Sequence, residues 1–210
     1  MNSKTIYAIN AVLIIISLFL TYKIYRVIME PIEFERIKFE RLCAVTERLE
    51  QVREAELAYK SEFGTFTGDF DVLASFVDTG RVTIYERKDS SFMRMSKLYG
   101  KMMNVDTVIT RIIGYQKVSE KFPAGLEGSM LQFVPMTDGA KFELGAGKIE
   151  RNGVVVPVFE VSVTEMAMFE DVKNRYNQLI SKDKTVKIGS LTEATISGNY
   201  ENTKCKDREN

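Results

Sequence analysis

The sequence predicts an α+β protein: an N-terminal transmembrane helix continuing into a long amphipathic helix, then a mainly antiparallel sheet domain with two or three helices. Three observations predict it. An uncharged apolar run extends from Thr5 to Tyr22. Leu42, Val45, Leu49 and Val52 then step by three and four, the spacing of one helix face. Beyond Phe63, β-branched runs alternate with glycine-containing turns, Asn152-Gly153 being the clearest. The organisation that follows is a transmembrane anchor at 1–29, an amphipathic helical stalk at 30–63, an α+β globular domain at 64–200 and a polar tail at 201–210.

The anchor comes first. From Ile6 to Leu20 only Asn10 and Ser17 interrupt the apolar run, and extending it to Met29 adds only Lys23 and Arg26 as charges. At 1.5 Å per residue this covers the ~30 Å of a hydrocarbon core. Bulky residues in TYKIYRVIMEP stand where a signal peptidase needs small ones, so the segment reads as an uncleaved single span. Tyr22 and Tyr25 suit an aromatic belt, and Lys23 and Arg26 can reach the headgroups. Only Lys4 precedes the span, whereas Lys23, Arg26, Arg36, Lys38 and Arg41 follow it. Counted literally, these charges place the C-terminal part in the cytoplasm.

The stalk begins at Pro31, which lacks an N–H and crowds the carbonyl of Val27, so a kink or short break is expected there. Residues 32–41 repeat an alternating pattern that suits either a helix or a strand. From Leu42 the heptad-like stripe is clear, with Tyr59 continuing it and Glu56 breaking it. Arg36–Glu40 and Glu56–Lys60 are spaced for i,i+4 pairing. Two readings of the stripe stay open: a helix laid on its own domain, or a stalk that packs on partner helices through Leu42, Val45, Leu49, Val52 and Tyr59.

Gly64 and Gly68 end the helix in a turn-rich loop. Asp69 is placed as the N-cap of a short helix with Phe70, Leu73 and Phe76 or Val77 on one face, and Gly80 closes it. Val82 and Ile84 begin a strand that ERKDSS breaks. Residues 92–104 are rich in methionine and basic side chains; they read as a core-edge excursion between strands, or as a membrane-surface or partner-binding loop. Val105–Val118 is one long strand, or two with a bend at Gly114. Leu131–Pro135 is a short strand. Lys148–Arg151, Asn152-Gly153 and Val154–Val163 form a hairpin, in which Pro157 demands an edge or bulge. Met166–Ile180 is helical, with Val172 and Tyr176 on its inner face, Val186–Leu191 is a last strand, and the tail follows Tyr200.

The composition narrows the chemistry. The chain has 210 residues, with 29 basic against 29 acidic side chains, so it has no net field to attract nucleic acid. Histidine is absent, which removes the usual general base and the commonest zinc ligand. Cys43 and Cys205 lack metal spacing and lie far apart, and a bridge between them is not the expectation. Gly145-Ala146-Gly147-Lys148 fails as a phosphate loop, because Phe142 and Ile149 stand where glycine and Ser or Thr are needed. Asp69 with Asp71, and Glu170 with Asp171, are explained by a cap and a solvated helix face. No catalytic, cofactor or metal residue is nominated, and an enzyme is not expected.

The order of parts, together with Ala58-Tyr59-Lys60-x-x-Phe63-Gly64-Thr65-Phe66 at a helix-to-loop junction, resembles type IV pilins and type II secretion pseudopilins over roughly the first 75 residues. The chain lacks the small residue before Phe-Thr-Leu-x-x-Glu and the glutamate inside the apolar segment that mark those families. It is also similar to the unprocessed, single-span assembly-platform proteins of such machines. Both resemblances imply a non-enzymatic structural or assembly subunit in the inner membrane, its domain on the periplasmic side, in contact with lipid and with other protein subunits or its own copies. The alternative is a membrane-tethered ligand-binding or enzymatic domain whose ligand sits beside residues 92–104.

Overall fold

A computed structural model describes residues 3–95, 100–200 and 205. Helix α1, Ser3–Phe63, is 61 residues long, about 90 Å at 1.5 Å per residue, and runs through Pro31 without the expected break. None of its most apolar 18-residue window is buried. This half is a candidate single membrane span, long and apolar enough to cross a bilayer. The other half is the spine of the globular domain rather than a stalk below it. Phe34, Val45, Leu49, Val52, Ala55 and Ala58 are buried in the same core as Leu73, Phe159, Val161, Phe169 and Ile188.

Helix α2, Phe70–Thr79, starts as its sequence dictates: the Asp69 carboxylate accepts the Asp71 N–H, and Leu73 and Val77 are fully buried. Asp78 accepts the Gly128 N–H at 2.7 Å, holding a 3-10 turn, Gly128–Gln132, against α2. A Cβ at Gly128 would collide with the Ala74 backbone, so only glycine permits that approach. The strand expected over Leu131–Pro135 is therefore this turn plus one bridge, Phe133 to Lys141.

Two antiparallel sheets follow. Strands β1, Arg81–Met95, and β2, Met102–Lys117, form a two-stranded ribbon. Strands β3, Glu143–Arg151, β4, Val154–Thr164, and β5, Thr185–Gly189, form the second sheet in the order β3-β4-β5. The β3–β4 turn has Asn152 at φ 53 and Gly153 at φ 77, the two positive values that an Asn-Gly hairpin requires. Strand β5 pairs β4 only over Glu160–Thr164, so Pro157 pairs with Lys148 on one side and meets no strand on the other. Its missing N–H costs no ladder bond there.

Two further expectations are corrected. ERKDSS does not end β1, which continues through it opposite Asp106–Arg111. Met166–Ile180 is not one helix but two single turns, α3, Glu165–Met168, and α4, Lys173–Tyr176, parted at Phe169 with φ −122. The cause is tertiary: the Met168 carbonyl accepts a hydrogen bond from Arg41, and Met168 and Phe169, adjacent in sequence, are both buried.

Candidate functional site

The stripe singled out by its spacing is occupied by the protein's own domain. Val45, Leu49 and Val52 are each 0 % exposed, and Leu42 and Tyr59 pack partly buried against the core. Burying each of the first three contributes about 1.5–3 kcal/mol, which explains the pattern without a partner. The partner-helix reading of Leu42, Val45, Leu49, Val52 and Tyr59 is thus corrected: no free stripe remains to bind one.

Around this seam, α1 is fastened to segment 165–176 by ion pairs that its alternating sequence concealed. Lys38 meets Glu165 at 2.5 Å, and Arg175 meets Glu33 at 2.5 Å. Arg41 grips Asp171 with both ends of its guanidinium, at 2.6 and 2.5 Å. Those hydrogen bonds hold the Asp171 carboxyl below the ordinary aspartate range and push Arg41 up. Phe34 sits between Phe169 and Tyr176, with ring centroids 5.3 and 5.2 Å away.

Glu56 breaks the apolar stripe because it turns inward. It is 0 % exposed; Oε2 accepts the Thr67 N–H at 3.0 Å, and Oε1 has no partner. Burial pushes its carboxyl up to about 8, against the pull of that one hydrogen bond. The i,i+4 pair with Lys60 is replaced by Lys60 lying over the Phe66 ring, 4.6 Å from its centroid.

Cys43 and Cys205 form a disulfide, with Cα atoms 5.6 Å apart, against the expectation of separate thiols. It pins the C-terminal end to α1. Beside it a cavity of about 300 Å³ is lined by Lys38, Leu42, Glu165, Met168, Tyr200 and Cys205, among others. Glu165 is 2 % exposed, and among the described residues Lys38 meets it through Oε1. The Tyr200 hydroxyl is buried without a hydrogen-bond partner, and burial pushes it up to about 12. The ligand site expected beside residues 92–104 is not what this cavity is: its walls come from α1, α3, β5 and the chain after it. Among the described residues no group of three or more His, Cys, Asp or Glu converges to hold a metal.

The most exposed apolar surface outside the span is the ribbon. At about 3.4 Å per residue it is some 50 Å long. Its root is fixed: Val82 is buried, and the Thr83 N–H donates to Glu62 at the end of α1 at 2.6 Å. Beyond that root no layer of described residues covers it. Tyr85, Phe92, Met93, Met95, Met102, Met103, Val108, Ile109, Ile112 and Ile113 are all exposed. Register places Tyr85 with Ile112, Asp89 with Val108 and Met95 with Met102 on one face, and Phe92 and the pair Lys88 with Ile109 on the other. Between Ile84 and Tyr85 the register shifts, leaving Ile113 as the extra residue of a bulge beside Gly114. Residues 96–99 of the methionine-rich segment lie outside the described residues; the rest of it forms the end of the ribbon.

The domain therefore combines a sealed core, a cavity beside the disulfide, and an unsealed two-stranded arm. Comparison with protein-family models, with curated proteins and with solved structures finds no match, so the reading of function rests on these contacts alone.

Proposed function

We propose that this chain is a non-enzymatic, single-pass structural or assembly subunit of a cell-envelope machine of the secretion or pilus kind. Its ribbon is the arm that binds other subunits, its own copies among them. The observation that carries this reading is the ribbon itself. A two-stranded hairpin is marginal in water, and this one shows apolar side chains on both faces and, beyond Thr83, no described strand along either edge. Strand addition along an edge would pair its backbone N–H and C=O groups while covering Ile109 or Ile112.

The location that goes with this reading is the inner membrane, with the domain on the periplasmic side. The Cys43–Cys205 disulfide supports that side, because such bridges persist in oxidising compartments and are reduced in the cytosol. It stands against the count of basic residues after the span, and this reading follows the disulfide.

The test is extraction of the full chain in mild detergent and co-purification of whatever it holds. Ile109→Glu with Ile112→Glu should keep the melting temperature while the complex falls apart. An intact complex in that variant rules the arm out.

A second reading, a membrane-tethered ligand-binding domain, is favoured by the Glu165 carboxylate in the cavity beside the disulfide, whose Oε2 has no partner. A small-molecule amine that raises the melting temperature of the wild type but not of Glu165→Gln would support it.

A further inference from the structure

A second cavity, of about 580 Å³, lies where α1 leaves the apolar run and the domain comes down on it. Lys23, Arg26 and Glu30 line it from α1, and Asn174, Arg175 and Gln178 from the segment around α4. Lys23, Arg26, Val27 and Glu30 are spaced i, i+3, i+4 and i+7, so one face of the helix looks into it. We propose that this cavity binds the headgroup of an anionic phospholipid, through its phosphate oxyanion. The proposal rests on reading the N-terminal half of α1 as a membrane span.

Depth and charge order carry the argument. Lys23 is the first charge after the apolar run, Arg26 stands about 5 Å further along the axis, and Glu30 about 10 Å. Headgroups occupy roughly 5–8 Å on each side of the hydrocarbon. Both cations thus fall inside the headgroup layer, while the Glu30 carboxylate lies at or above its outer edge. Tyr22 and Tyr25, both exposed, mark the same level as an aromatic belt. Arg175 already gives one N–H to Glu33 at 2.5 Å, which leaves its remaining donors for the cavity. The Asn174 and Gln178 amides add neutral donors for the phosphodiester oxygens. Leu179, exposed and also lining the cavity, adds an apolar contact for the ester region. Lys23 and Arg26 are the groups left free to meet a phosphate: Lys23 lies 5.9 Å from the Phe19 ring, a contact that still leaves its three N–H donors, and Arg26 faces the cavity one turn above.

The experiment uses the full chain in detergent micelles, with native mass spectrometry on addition of palmitoyl-oleoyl phosphatidylglycerol or phosphatidylcholine. The wild type should prefer phosphatidylglycerol, by about fivefold for each cation engaged. Lys23→Gln with Arg26→Gln should abolish the preference, and Lys88→Gln with Arg111→Gln on the ribbon should leave it unchanged. Equal binding of the two lipids, or equal loss in both double variants, overturns the site. Glycerol 3-phosphate displacing the lipid at equal concentration would show a soluble phosphate site and overturn the lipid assignment. Carbonate extraction of native membranes separates the two readings: release of the protein would sink the span, whereas retention without lipid preference would sink the cavity alone.

Discussion

The Cys43 sulfur, on the helix that emerges from the apolar run, is bonded to that of Cys205, 162 positions later. The bridge closes nearly the whole globular domain into one covalent loop. The chain-entropy argument gives such a loop a ceiling of about 5 kcal/mol, and native bridges typically deliver about 2–4 kcal/mol. Reduction, or Cys43→Ser with Cys205→Ser, should lower stability by that amount in chemical unfolding of the detergent-solubilised protein. Thiol-reactive labelling of intact cells without reductant should leave both sulfurs unmodified.

Leu49 separates a core role from a partner role. Its full burial predicts that Leu49→Ala costs about 2–5 kcal/mol, and that Leu49→Glu yields no folded protein. Thermal unfolding is the measurement, and an unchanged melting temperature would contradict the placement of α1 in the core.

Arg41 and Asp171 give a prediction with a sign. The Asp171 carboxyl titrates below its ordinary 3.8, so in acid the unfolded chain binds the proton first. The pair's contribution is complete above the ordinary aspartate range and is lost as the pH falls through the lowered value. Asp171→Asn should cost about 2–3 kcal/mol at pH 7 and progressively less as the pH approaches 3. Denaturant midpoints of the two proteins across that window check it.

Glu56 predicts the opposite slope. Its carboxyl is raised from 4.5 to about 8, so between those values the folded protein holds a proton that the unfolded chain has released. Stability is fully retained below the lower value, falls as the pH rises through the window, and levels off beyond the upper one. Glu56→Gln keeps an acceptor for the Thr67 N–H and cannot ionise. It should flatten the stability profile between pH 5 and 8 and be more stable than wild type at pH 9.

Local chemistry was legible in the sequence wherever neighbours decide it. The apolar run, the Asp69 cap and the Asn152-Gly153 turn each follow from a few adjacent residues, and the structure has all three. The ribbon was cut short at ERKDSS because a strand exposed on both faces shows no alternation between apolar and polar sides. The helix foreseen over Met166–Ile180 lost to Arg41, 127 positions away, which claims the Met168 carbonyl. The same distance problem hid the disulfide. At the candidate sites, the stripe was visible, but its period is the same whether it covers its own sheet or another helix, and only the fold says which.

Helix α1 continues through Pro31, so the candidate span and the core of the domain share a single helix. From Pro31 to Phe63 the helix extends about 50 Å. A change in span tilt of 10°, well inside the range that bilayer thickness imposes, would carry its far end, and the ribbon root held by Glu62, sideways by roughly 8–9 Å. With the candidate span in a bilayer, this helix would be a lever whose fulcrum lies in the lipid, and membrane thickness would set where the ribbon points.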